Sequence, residues 1–120
     1  MIKFIWNLFS PPTVATTLHD GTIEYRRKGK IHNAEGPARI HPDGTREWYM
    51  HGQRHRPNGP AIEKPDGTTF YYWFGRMHRL DGPAIVHPDG TRLWYRNGKL
   101  HREGGLPPVE HPHWDAKKPK

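Results

Sequence analysis

The sequence predicts an all-β fold, an elongated single-layer antiparallel sheet of four stacked β-hairpin repeats with a short N-terminal cap. Three observations predict it. Asp-Gly recurs at 20, 43, 66 and 89, a period of 23 residues held over three intervals. Each Asp-Gly opens a run in which aromatic side chains alternate, and each run ends at a second Gly, in Lys28-Gly29, His51-Gly52, Phe74-Gly75 and Asn97-Gly98. Units this short cannot bury a core alone, so a strict period means that neighbours stack and share one.

Residues 1–19 read as the cap. Ile2, Ile5, Trp6 and Phe9 fall on one face of a short helix, which Pro11 and Pro12 would stop, and a strand follows. The segment packs on the end of the array or, alternatively, serves as a docking or membrane-surface anchor. It is too short for a signal-peptide core or a membrane span.

The four repeats span 20–42, 43–65, 66–88 and 89–112, the last longer by one residue and degraded after Gly105. Asp20-Gly21, Asp43-Gly44, Asp66-Gly67 and Asp89-Gly90 are structural turns, with Gly in the left-handed position of a type I turn plus bulge. In the strand that follows, Tyr25, Trp48, Tyr71 and Trp94 lie on one face and Arg26, Tyr49, Tyr72 and Tyr95 on the other. A Gly-Pro pair then leads into the return strand, "AI" or "AR". Residues 113–120 form a flexible basic tail carrying Lys117, Lys118 and Lys120.

Composition agrees with an atypical core. Leu, Ile, Val and Phe make up about a sixth of the chain, a level that reads as disorder at a net charge of +7. Aromatic content of 12% and its fixed register argue for folding instead, since each buried ring removes about 150–250 Å² from water. The charge, with a pI near 9.9, favours acidic partners. Zero cysteines exclude disulfides and thiolate metal sites and fit a reducing cytoplasm.

A 23-residue hairpin unit written Asp-Gly-Thr, aromatic, Gly-Lys/Gln/Arg, His, Gly resembles the MORN repeat and its bacterial variants, and the "HRxxGPA" form resembles repeats of phage and giant-virus proteins. The likeness runs from Asp20 to about Pro112. Where the family has Gly after the His, this chain has Asn33, Arg56, Arg79 and Arg102. The resemblance implies an elongated sheet acting as an interaction scaffold, with protein partners and sometimes lipid. It also implies phage or viral origin, host-cell cytoplasm as the setting, a host protein as the partner, and no catalysis by the repeats.

His32, His55, His78 and His101 form the row with the most chemistry. Equivalent residues of stacked hairpins sit two strands apart, about 9–10 Å, too far for neighbouring rungs to share an ion that needs nitrogens within about 2.1 Å. A site within one repeat, such as His32 with His41 or His78 with His87, is the arrangement left open by this spacing, and no metal, cofactor or catalytic residue is assigned. The His row is expected to hydrogen-bond a carbonyl in each tight turn, and the Arg to pair with Glu47, Glu63 or a turn Asp. The candidate partner surface is Arg56, Arg79 and Arg102 with His55, His78 and His101, and Trp48, Tyr71 and Trp94 as an apolar platform. An alternative partner for the same Arg/His rows is an anionic ligand, a nucleotide or single-stranded nucleic acid, whose bases would stack on exposed rings. A homodimer through a sheet edge or the N-terminal cap is a further expectation, because a short array leaves edges open. No G-x-S-x-G, P-loop or H-E-x-x-H pattern is present.

Overall fold

The computed structural model describes residues 11–112. The helix expected at Ile2, Ile5, Trp6 and Phe9 and the tail at 113–120 lie outside these residues. The fold is all-β and antiparallel, and its ten-stranded sheet does not close. A strand β1 (Val14–Thr17) precedes the repeats. Repeat 1 supplies β2 (Ile23–Arg27), β3 (Lys30–Ile31) and β4 (Arg39–Ile40). Repeat 2 supplies β5 (Arg46–Glu47), β6 (Tyr49–Met50), β7 (Gln53–Arg54) and β8 (Ile62–Glu63). Repeat 3 supplies β9 (Thr69–Phe70), β10 (Tyr72–Trp73), β11 (Arg76–Met77) and β12 (Ile85–Val86). Repeat 4 supplies β13 (Arg92–Leu93), β14 (Tyr95–Arg96), β15 (Lys99–Leu100) and β16 (Val109–Glu110).

Sequence reading gives one hairpin per repeat; the structure gives two. The main sheet runs β1-β2-β4-β5-β8-β9-β12-β13-β16, with β3 paired to β2 as its tenth strand, while β6-β7, β10-β11 and β14-β15 form separate ribbons beside it. The aromatic residue between them joins the two ladders. Trp48 N–H donates to Ala61 O at 2.8 Å in the main sheet, and Trp48 C=O accepts from His55 N–H at 3.0 Å in the ribbon. Tyr25, Tyr71 and Trp94 repeat both bonds.

The Asp-Gly loops have the expected geometry. Gly44 N–H donates to His41 O and His41 N–H to Thr45 O, both at 2.9 Å, while Asp43 Oδ1 accepts from Thr45 N–H at 2.8 Å. Gly44 has φ +96°, the left-handed position that closes a type I turn with a bulge. At the second turn both residues are left-handed, His51 at φ 50° and Gly52 at 86°, the type I′ turn whose twist matches the strands.

Burial follows from register. On one face the row Glu24, Arg39, Glu47 passes across the strands into Ile62, Phe70, Ile85, Leu93 and Val109, so an ion-paired half meets an apolar half. Ala38, Ala61 and Ala84, one in each of the first three repeats, are wholly buried. Ile62 and Ile85 are buried as well, worth about 1.5–3 kcal/mol each. Among the described residues no large side chain is fully enclosed, as expected of a molecule 70 Å long and 19 Å at its thinnest. The two sheet edges differ: β1 is an exposed, uncharged strand, whereas β16 is flanked by Pro107, Pro108 and Pro112 and carries Glu110, the usual protection against unwanted pairing.

Candidate functional site

Every letter of the "HRxxGP" phrase has a local use. The ladder His points its Nδ1 at the next repeat and accepts from the first N–H of that repeat's tight turn: His32 from His51 at 3.0 Å, His55 from Phe74 at 3.1 Å, His78 from Asn97 at 2.9 Å. The expected carbonyl partner is thus replaced by an N–H donor, because a type I′ turn packed against its neighbour presents its amide there. An Nδ1 that accepts must be unprotonated, and burial lowers the pKa of His32 and His55; His51 and Arg27 add to the shift at His32. His101 has no following repeat and is exposed, its Nε2 3.0 Å from Glu103 Oε2.

The Arg that follows folds back over the aromatic residue of its own repeat. The guanidinium carbon lies 3.8 Å from the Trp48 ring centroid for Arg56, 4.0 Å from Tyr71 for Arg79 and 3.7 Å from Trp94 for Arg102. One Nη1 donates to a Pro carbonyl at 3.0–3.1 Å, that of the Gly-Pro pair for Pro60 O and Pro83 O and of Leu106-Pro107 for Pro107 O. In repeats 2 and 3 the opposite guanidinium face rests on Gly: a Cβ at Gly59 would lie 3.1 Å from Arg56 Cζ, and one at Gly82 would lie 2.9 Å from Arg79 Cζ. Asn33 makes the shorter version of this clasp, its Nδ2 3.0 Å from Pro37 O. Arg56 also pairs with Glu63 and Arg102 with Glu110, while Arg79 meets Asp81. Trp48, Tyr71 and Trp94, expected as a platform, are therefore capped from within.

On the other face Glu47 is buried and accepts from Tyr49 Oη at 3.0 Å and Arg54 Nε at 3.2 Å, with His41 Nε2 close against it. Burial pushes its pKa up, but these partners hold it below the ordinary carboxylate value. Arg39 and Arg26 do the same for Glu24. Asp20, Asp43, Asp66 and Asp89 are held low by the Thr N–H bond of each turn. Among the described residues, no three His, Asp or Glu side chains converge as metal ligands would.

What the repeat does not require stands out in repeat 3. Trp73 and Phe74 are each 47% exposed and Leu80 is 72% exposed. Their register positions elsewhere hold Arg27, Met50 and Arg96; Lys28, His51 and Asn97; Ala34, Pro57 and Glu103. Sequence reading passed over them because it followed what recurs; subtracting the repeats from one another would have found them. Phe74 stacks on the His55 ring, centroids 3.8 Å apart, and Trp73 meets the same ring edge-on at 4.4 Å. Trp73 and Leu80 line a groove of about 840 Å³ between repeats 2 and 3, with Tyr71, Tyr72, Arg56 and Arg79.

Charge is sorted between the two long edges. The Asp-Gly turns carry one carboxylate per repeat, whereas the four ribbons, 26–31, 49–54, 72–77 and 95–100, contain eight Lys or Arg and no Asp or Glu. Of these, Lys28, Lys30, Arg76 and Lys99 are exposed and have no carboxylate within salt-bridge distance among the described residues. No helix in the described part is long and apolar enough to cross a membrane. The chain matches no family model, no curated protein and no solved structure.

Proposed function

We propose that this chain is a non-enzymatic binding module, a MORN-like array whose partner contacts centre on repeat 3. One observation carries the reading: Trp73, Phe74 and Leu80 are absent from the same positions of the other repeats and are all exposed, while His32, His55 and His78 and the repeated Arg and Asp already hold hydrogen bonds of the array. A residue needed by the fold recurs once per unit; a residue needed by one partner does not. Exposed apolar side chains grouped around a groove are the ordinary mark of a contact site. The phage or viral origin and the host-cell setting implied by the resemblance belong to this proposal, with a host protein as one class of partner. A second class, an anionic ligand, is favoured by the carboxylate-free ribbon edge beside the groove.

The test replaces repeat 3's exceptions with repeat 4's residues, Trp73→Arg, Phe74→Asn and Leu80→Glu, substitutions that the array already tolerates in register. Material captured from lysate by the native chain is compared with that captured by the triple variant, by mass spectrometry and by absorbance at 260 nm. Selective loss of a captured component is expected. Unchanged capture by a folded variant would remove the proposal.

A further inference from the structure

Resting on the binding-module reading, we propose that the groove between repeats 2 and 3, with the ribbon edge beside it, binds single-stranded nucleic acid. Trp73 faces the groove as an aromatic wall, and its cross-strand partner in the ribbon is Arg76. A base stacked on that ring places its phosphate beside an exposed guanidinium with no carboxylate to compete for it. The same ribbon position carries the pair Arg27 and Lys30 in repeat 1 and the pair Arg96 and Lys99 in repeat 4. With repeats about 10 Å apart, cations stand one rung from the stacking site at repeat 4 and two rungs away at repeat 1, repeat 2 carrying Met50 and Gln53 at this position. Lys28, Lys30, Arg76 and Lys99 can each take a phosphate without breaking an ion pair of the fold.

The groove decides among anionic partners. Of the rings lining it, Tyr71 is capped by Arg79 and Tyr72 lies under Arg54, so the half-exposed Trp73 is the face left for stacking, and a planar π-face is what a nucleobase offers and a lipid surface lacks. Single-stranded substrate follows because stacked bases of a duplex show no free face. The Arg rows do not supply the stacking, since Arg56 and Arg79 have one guanidinium face on a ring and the other on Gly59 or Gly82.

The experiment measures binding of fluorescein-labelled dT12 and rU12 to the whole chain by anisotropy and by quenching of tryptophan fluorescence, between 50 and 200 mM salt. With about four phosphates neutralised, log Kobs should fall against log salt with a slope near −3. Trp73→Arg removes the ring while adding a positive charge that alone would favour an oligonucleotide; loss of stacking should still weaken binding roughly fivefold or more and abolish the quenching, with Trp73→Phe restoring part of the affinity. Replacing Lys28, Lys30, Arg76 and Lys99 by Gln should flatten the salt slope, whereas Lys64→Gln on the Asp-Gly edge should not. The inference is overturned by absence of oligonucleotide binding at 50 mM salt, by equal binding of native chain and Trp73→Arg, by displacement of dT12 by poly-glutamate as readily as by unlabelled dT12, or by a preference for phosphatidylserine vesicles. If oligonucleotides fail while the triple variant still loses its captured partner, this inference falls and the binding-module reading stands.

Discussion

Gly82→Ala should destabilise the protein although glycine there adopts no left-handed conformation. The added Cβ would sit 2.9 Å from Arg79 Cζ, closer than side chains come, and a tight 3.0 Å from Nη1 and 3.2 Å from Nε. The guanidinium is the free end of a flexible chain and will swing away, so the cost is the lost clasp and not a lasting clash. Leaving the Tyr71 ring forfeits about 0.5–1 kcal/mol of cation–π attraction. Leaving Pro83 O forfeits a hydrogen bond from a charged donor, about 1–1.5 kcal/mol once its partial exposure is allowed for. Against this, Ala restricts the unfolded chain and returns about 0.4–1 kcal/mol. The net loss is about 1–2 kcal/mol, and each kcal/mol lowers Tm by about 4–8 °C in a domain of this size. Gly36→Ala is the internal control: its Cβ would meet only Asn33 Nδ2, at 4.0 Å, so the entropic gain should stand alone and Tm should hold or rise. Thermal unfolding followed by far-UV circular dichroism measures both. Equal shifts for Gly36→Ala and Gly82→Ala would mean that the Arg clasp contributes nothing.

Two further outcomes follow from the polar interior. Stability should decline as pH falls below the ordinary histidine value near 6.5, because His32 and His55 have lowered pKa values and the unfolded chain takes up protons first; replacing both by Gln should flatten urea-unfolding midpoints between pH 7.5 and 5, and parallel curves would refute it. Glu47→Ala should cost about 2–4 kcal/mol in urea unfolding, since it strands Arg54 and Arg39 beside a buried gap, whereas Glu47→Leu, which borrows Leu93 from repeat 4, should cost less; an equal loss for both would show that the carboxylate's charge and not its volume matters.

The architecture was legible because its signals are local and periodic. Asp43-Gly44 fixes a loop geometry whatever surrounds it, and four copies in register leave little freedom beyond stacking. The second hairpin was half visible: Gly52 marked a turn, but nothing in the sequence says that Trp48 turns its N–H to one ladder and its C=O to another. The roles of His55 and Arg56 were not legible, because an acceptor for Phe74 N–H or a seat on Gly59 exists only once neighbouring repeats are in place. Charge misled in one respect. Three Arg in register suggested a free basic surface, but a guanidinium beside a ring and a carbonyl finds its partners inside, and the unpaired cations sit on the ribbons instead.

Phe74 shows why departures from the repeat carry the functional weight. It holds φ 43°, a conformation that costs a residue with a bulky Cβ about 1–2 kcal/mol, and Asn97 fills the equivalent position with a residue better suited to it. Stacking on His55 returns about 0.5–1.5 kcal/mol, so the turn gains little from the ring on balance. His51, at the same position in repeat 2, lies 4.4 Å from the His32 ring and provides a comparable contact with a polar side chain. Turn geometry and stacking therefore leave the identity of residue 74 open between Asn, His and Phe. What distinguishes Phe74 is the apolar surface it adds beside Trp73, an addition that yields nothing to a solvent-exposed edge and pays only when something covers it.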